Sequence, residues 1–220
     1  MSLTYLSPSW FFGYDVVLEL LFAAIALMVS IFAFRIYKAT GQKQIRLFGA
    51  SFACISLAYL IQSLFNYLII SKANEHICRA LKIRSIAWFD AVGLYAHILF
   101  MTLGLVTLVY MTFKTEKSRI LWLLIATSLL GIFLSMNTLY MFFLFSTIYL
   151  MFISWHFITN YLQNRQKKTL LIAVAFLFML FGSVHFLMAV DHRAFYAIGH
   201  VLELVAYSLI LLNLYLVRKR

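Results

Sequence analysis

Val190–Val217 reads VDHRAFYAIGHVLELVAYSLILLNLYLV. Asp191, His192 and Arg193 make a short polar loop. From Ala194 the chain is apolar for long enough to cross a bilayer, which takes about 20 residues. In hydrocarbon a helix satisfies its own backbone donors and acceptors, so the run predicts a membrane-spanning helix over 194–217. Inside it stand Gly199, His200 and Glu203. A charged side chain at mid-bilayer costs at least about 2.5 kcal/mol on insertion scales. Such groups persist where they face one another, a cofactor or a wet cavity.

The rest of the chain has the same character. It is 220 residues long, 65% hydrophobic and 11% charged, with one proline and eight glycines. Soluble domains carry about a quarter charged residues, so a mean hydropathy of +0.95 marks a membrane protein. Six further runs reach spanning length: 13–37, 45–70, 86–113, 119–136, 138–163 and 169–189. The expectation is an all-α, polytopic bundle of seven transmembrane helices forming one domain over 1–220. Trp10, Phe11 and Phe12 before the first run suit an interfacial aromatic belt. No basic region or cleavage site precedes that run, which reads as a retained helix rather than a signal peptide. Cys54 lies in an apolar run and Cys78 in a loop, so neither a disulfide nor a CxxC site is expected.

The net charge of +11 does not indicate nucleic acid, because the basic residues fall in short clusters between apolar runs. Arg35, Lys38, Lys43 and Arg46 follow the first run, Lys114, Lys117 and Arg119 the third, Arg165, Lys167 and Lys168 the fifth, and Arg218–Arg220 the last. These all fall on one side. The positive-inside rule then places the N-terminus outside a cell membrane that the chain crosses several times, with the lipid bilayer as its main partner. Lys72, Arg79, Lys82 and Arg84 dissent. Ile77, Leu81 and Arg84 recur at helical spacing, and that loop reads as a helix on the outer surface.

A repeat is visible as well. Phe89–Gly93 and Phe195–Gly199 both read F-x-A-[V/I]-G, at the outer ends of the third and seventh runs. Gln62-Ser63-Leu64-Phe65 and Gly182-Ser183-Val184-His185 stand at comparable heights in the second and sixth. The arrangement predicted is three helices, a linker helix and three helices, a parallel repeat of the kind found in transporters.

Converting position to depth, at about 1.5 Å per residue, gathers the polar side chains into one layer. Glu19, Gln62, Asn66, Asp90, His97, His185, His200 and Glu203 all fall in or beside the outer half. His200 and Glu203, three apart, share a helix face. A pocket in that layer has several candidate occupants. Haem b is one, ligated by His97 with His200 or His185, with Gly93 and Gly199 giving flat space and Arg193 reaching a propionate. A divalent metal ion is another, on His97, His185, His200, Glu203, Glu19 and Asp90. Either would serve redox transfer or sensing. The alternatives are a small solute or proton-coupled transporter using the same residues, and a structural subunit without a cofactor. A metal with an open position would permit hydrolysis, but the His-rich spacing of seven-helix zinc hydrolases is absent. A retinal pigment would need a lysine in the last helix, and none precedes Lys219 there.

Gly199–Tyr207, GHVLELVAY, resembles the last helix of seven-helix membrane sensor domains found upstream of histidine kinases and cyclases. The resemblance covers that helix and the overall layout. It implies sensing, and because the sequence ends at Arg220 the expectation is that any output goes to a separate signalling or redox partner or does not exist. It assigns no site residue.

Plainer readings stand beside these. His156, next to Trp155, reads as interfacial, and His76 and His192 as solvated loop residues. Asp15 suits the positive end of the first helix dipole. Ser30, Ser51, Ser56, Ser63 and Ser128 read as packing residues, since no base is paired with any of them.

Overall fold

The computed structural model describes residues 7–8, 10–11, 13–70, 86–113, 115 and 117–218, with side chains at all of these but 69, 70, 86–90, 168, 217 and 218. The loop 72–84 and the Asp90 side chain therefore lie outside the described residues. Among the described residues seven helices follow one another: α1 Tyr14–Thr40, α2 Lys43–Ile70, α3 Ile86–Thr112, α4 Ser118–Phe133, α5 Thr138–Asn164, α6 Lys167–Ala189 and α7 Ala194–Arg218. No strand occurs among the described residues.

Six of the seven are long and apolar enough to cross a membrane. α4 is the exception. The run 119–136 predicts a spanning helix, but α4 has 16 residues. That is about 24 Å of rise against a hydrocarbon core of about 30 Å. Leu134 and Met136 lengthen the apolar run without being helical. They lie in a turn before Asn137, whose side chain caps α5 by accepting the Tyr140 N–H at 3.2 Å.

Local chemistry sets the other ends. Asp15 Oδ1 accepts the N–H groups of Gly13 and Val16, both at 2.9 Å, in the first turn of α1, where the dipole favours a carboxylate. Gly41, at φ +68°, stops α1 with its N–H on the Tyr37 carbonyl at 2.8 Å. That left-handed conformation suits a residue without Cβ.

Packing repeats in two halves. α2 lies between α1 and α3, and α6 lies between α5 and α7. The halves meet at two seams, α3 on α5 and α7 on α1, while α4 leans on α3 and α5. The shared glycine motif occupies matching places. A Cβ on Gly93 would fall 2.5 Å from the Phe65 ring of α2, and one on Gly199 would fall 2.7 Å from the Phe186 ring of α6.

Lipid offers no hydrophobic drive for helix association, so close approach and interhelical hydrogen bonds take its place. Ser30, Ser56 and Ser63 donate across α1 and α2 to the carbonyls of Gly49, Ala23 and Val16 at 2.8, 2.8 and 3.1 Å. Ser154 of α5 donates to the Phe176 carbonyl of α6 at 3.0 Å, and Ser128 of α4 bonds the Tyr149 hydroxyl of α5. Ser51 stays within α2, on the Phe48 carbonyl at 2.7 Å.

Candidate functional site

Residues from all six long helices line one cavity of about 70 Å³. They come from the N-terminal parts of α1, α5 and α7, the middle of α2, the stretch of α3 from its middle toward its C-terminus, and the middle and C-terminal part of α6. The cavity thus sits toward the end of the bundle where α1 begins, termed the upper end below. Glu19, Gln62, His97, His200 and Glu203 are among its walls, so five of the polar residues placed in the outer half by depth meet at one cavity.

Two hydrogen-bonded chains hold the acids. Gln62 Nε2 donates to Asn66 Oδ1 at 3.2 Å, and Asn66 Nδ2 donates to both Glu19 oxygens at 3.2 and 3.1 Å. On the other side the Tyr59 hydroxyl donates to Glu203 Oε1 at 2.9 Å. Gln62 and Asn66 are four apart on α2 and so share a face. Tyr59, three residues before Gln62, continues it.

Both imidazoles have a defined tautomer. His97 Nδ1 lies 3.0 Å from the Ala58 carbonyl oxygen, and His200 Nδ1 lies 3.1 Å from that of Tyr196. A carbonyl oxygen only accepts, so Nδ1 carries the hydrogen and Nε2 of the neutral ring keeps a lone pair. Rings enclose the His200 side chain: Tyr196 at 4.5 Å, Phe186 at 5.0 Å, Phe11 at 5.6 Å and Phe22 at 6.3 Å between centroids. Tyr59 and Phe142 stand edge-on to His97 at 6.0 and 5.9 Å. Counted from the shared glycine, His97 (four after Gly93) and Glu203 (four after Gly199) hold equivalent positions in the two halves.

Other expected residues stand apart. His185 is half-buried, beside Phe195, with Nδ1 on the carbonyl of Phe181 in its own helix at 2.7 Å, and it does not line the cavity. Arg193 is exposed in the turn between α6 and α7. Gly93 and Gly199 make room for Phe65 and Phe186 rather than for a ligand. Among the described residues no group of three His, Cys, Asp or Glu could hold a metal ion.

The tyrosines are what a search for ionisable groups passes over. Tyr59, Tyr196 and Tyr207 all line the cavity. Tyr207 is fully buried, stacks on Phe22 at 4.9 Å and stands edge-on to Tyr59 at 5.8 Å. Gln62 Oε1 is buried without a partner among the described residues. Tyr207 follows Glu203 by one helical turn, and that spacing was the available signal.

No family model, curated protein or solved structure matches the chain.

Proposed function

We propose that this multi-pass membrane protein takes a small cationic or hydrogen-bond-donating solute into the cavity between its two halves and passes it across the bilayer. The observation that carries this reading is the lining chemistry. Glu19 and Glu203 supply carboxyl oxygens, His97 and His200 each supply an Nε2 lone pair, and Gln62 Oε1 has no partner among the described residues. No Lys or Arg is among the described lining residues. Such a wall rewards donors and repels anions. A buried acceptor left unmade costs about 1–3 kcal/mol, which a donor-bearing solute recovers.

Size narrows the class. A cavity of about 70 Å³ suits a few heavy atoms or a partly hydrated ion, given about 30 Å³ per water in the liquid. Protonated small amines and guanidinium belong to that class. The location agrees with carriage, since transporters built from repeats place substrate where the repeats meet. α5 and α6 contribute mostly apolar walls, with Ser146 and Ser183 as their hydroxyls.

The test is thermal unfolding of purified protein in detergent. Millimolar guanidinium and methylammonium are compared with acetate and phosphate. At least one cation is expected to raise the midpoint by several degrees, and Glu203→Gln to remove most of that rise. Stabilisation by acetate or phosphate, with none by any cation, refutes the reading.

A further inference from the structure

A second cavity, of about 340 Å³, lies toward the opposite end of the bundle. Its walls carry Asn213, His156, Asn160 and Gln44 among apolar side chains. Asn213 is nine-tenths buried, and its Oδ1 has no hydrogen-bond partner. The lower cavity thus offers an unpaired acceptor, as Gln62 Oε1 does above.

The two cavities are stacked along the axis. On three helices about one turn separates their walls: Ile55 from Phe52 on α2, Leu108 from Met111 on α3, and Tyr207 from Ile210 on α7. Among the described residues one side chain, Phe176, lines both. It is 1% exposed, and its ring stacks on Phe157 at 4.8 Å and 4°. Ser154 holds the backbone at this level by donating to the Phe176 carbonyl. Phe52, Leu108 and Ile153 are likewise fully buried at about this height.

We propose that the lower cavity is a second binding station for the same small donor-bearing solute, with Asn213 as its acceptor, and that Phe176 is the barrier between the stations. This rests on the reading above. An apolar ring in a narrow path stops water and ions because neither can shed its hydration there. Rotation of one phenyl side chain, or a small shift of α6 against α5, would join the cavities. The upper station lies between the halves. The lower one is bounded by α1, α2, α3, α5, α6 and α7, so the same two halves would control both.

The experiment measures uptake of labelled guanidinium into proteoliposomes holding wild type, Phe176→Ala, Phe176→Leu, or Phe176→Ala with Asn213→Leu. Size-exclusion profiles establish that each variant is folded, and Phe176→Leu serves if the alanine variant is not. Phe176→Ala is expected to raise uptake about tenfold, with Phe176→Leu between it and wild type. Adding Asn213→Leu is expected to cut the raised flux severalfold. If guanidinium or another cation stabilises the protein but folded Phe176 variants carry no more flux than wild type, the barrier is wrong and the upper binding site stands. If no cation binds and no variant carries flux, both fall. A raised flux that Asn213→Leu leaves unchanged removes the lower station and keeps the barrier.

Discussion

Tyr59 joins the two sides of the upper cavity. Its hydroxyl donates to Glu203, and its ring stands against Phe22, His97 and Tyr207 at 5.4, 6.0 and 5.8 Å. Tyr59→Phe keeps the ring and removes the donor. Side-chain hydrogen bonds within membrane bundles average about 0.6 kcal/mol and reach about 1.7. The variant is expected to lose about 1 kcal/mol in reversible detergent unfolding and to weaken cation binding as well. Unchanged stability together with unchanged binding would mean that this bond matters to neither. Glu19, His97, His200 and Glu203 were legible in the sequence because ionisable groups are rare and costly in hydrocarbon. Tyr59 and Tyr207 were not, because the chain has 13 tyrosines and most mark nothing. His185 was misplaced for a different reason. Depth gives height along a helix but not rotation about it, and each residue turns the helix by about 100°. The α6 face on the cavity is Phe176, Met179, Ser183 and Phe186, and His185 is not among the lining residues.

The helices themselves depend on small residues at their contacts. A Cβ on Gly104 of α3 would lie 2.7 Å from Ile55 Cγ1 and 2.9 Å from the Ser51 carbonyl oxygen of α2. The side chain can turn aside, but the carbonyl belongs to a helix and cannot. Gly104→Val should therefore push α3 off α2, at a cost of about 1–3 kcal/mol for overpacking. Thermal unfolding measures the loss, and a variant as stable as wild type would show the contact to be loose. Helix positions were readable because apolar length and end chemistry are local. α4 was read too long because hydropathy does not distinguish the last helical turn from an apolar loop. Only the turn at 134–137 and the Asn137 cap mark the end.

Two halves joined at two seams suggest that each half inserts on its own and then finds the other in the membrane. A chain split after Glu116 and co-expressed as two fragments is expected to co-purify and to recover the cation-induced rise in unfolding midpoint. Fragments that never associate would show that α4 and its connections are needed to bring the halves together. The repeat was visible in the sequence at two glycines, and packing gives those glycines one role: each admits a phenylalanine from the middle helix of its own half. Composition and hydropathy were sufficient for the class of protein, the six long helices among the described residues and most of their ends, because lipid imposes those conditions on every segment separately. The contents of the cavity's walls, the separation of His185, the second cavity and the place of Phe176 depended on how each helix is rotated toward its neighbours. Rotation is set by packing between segments distant in the chain, and no single segment records it.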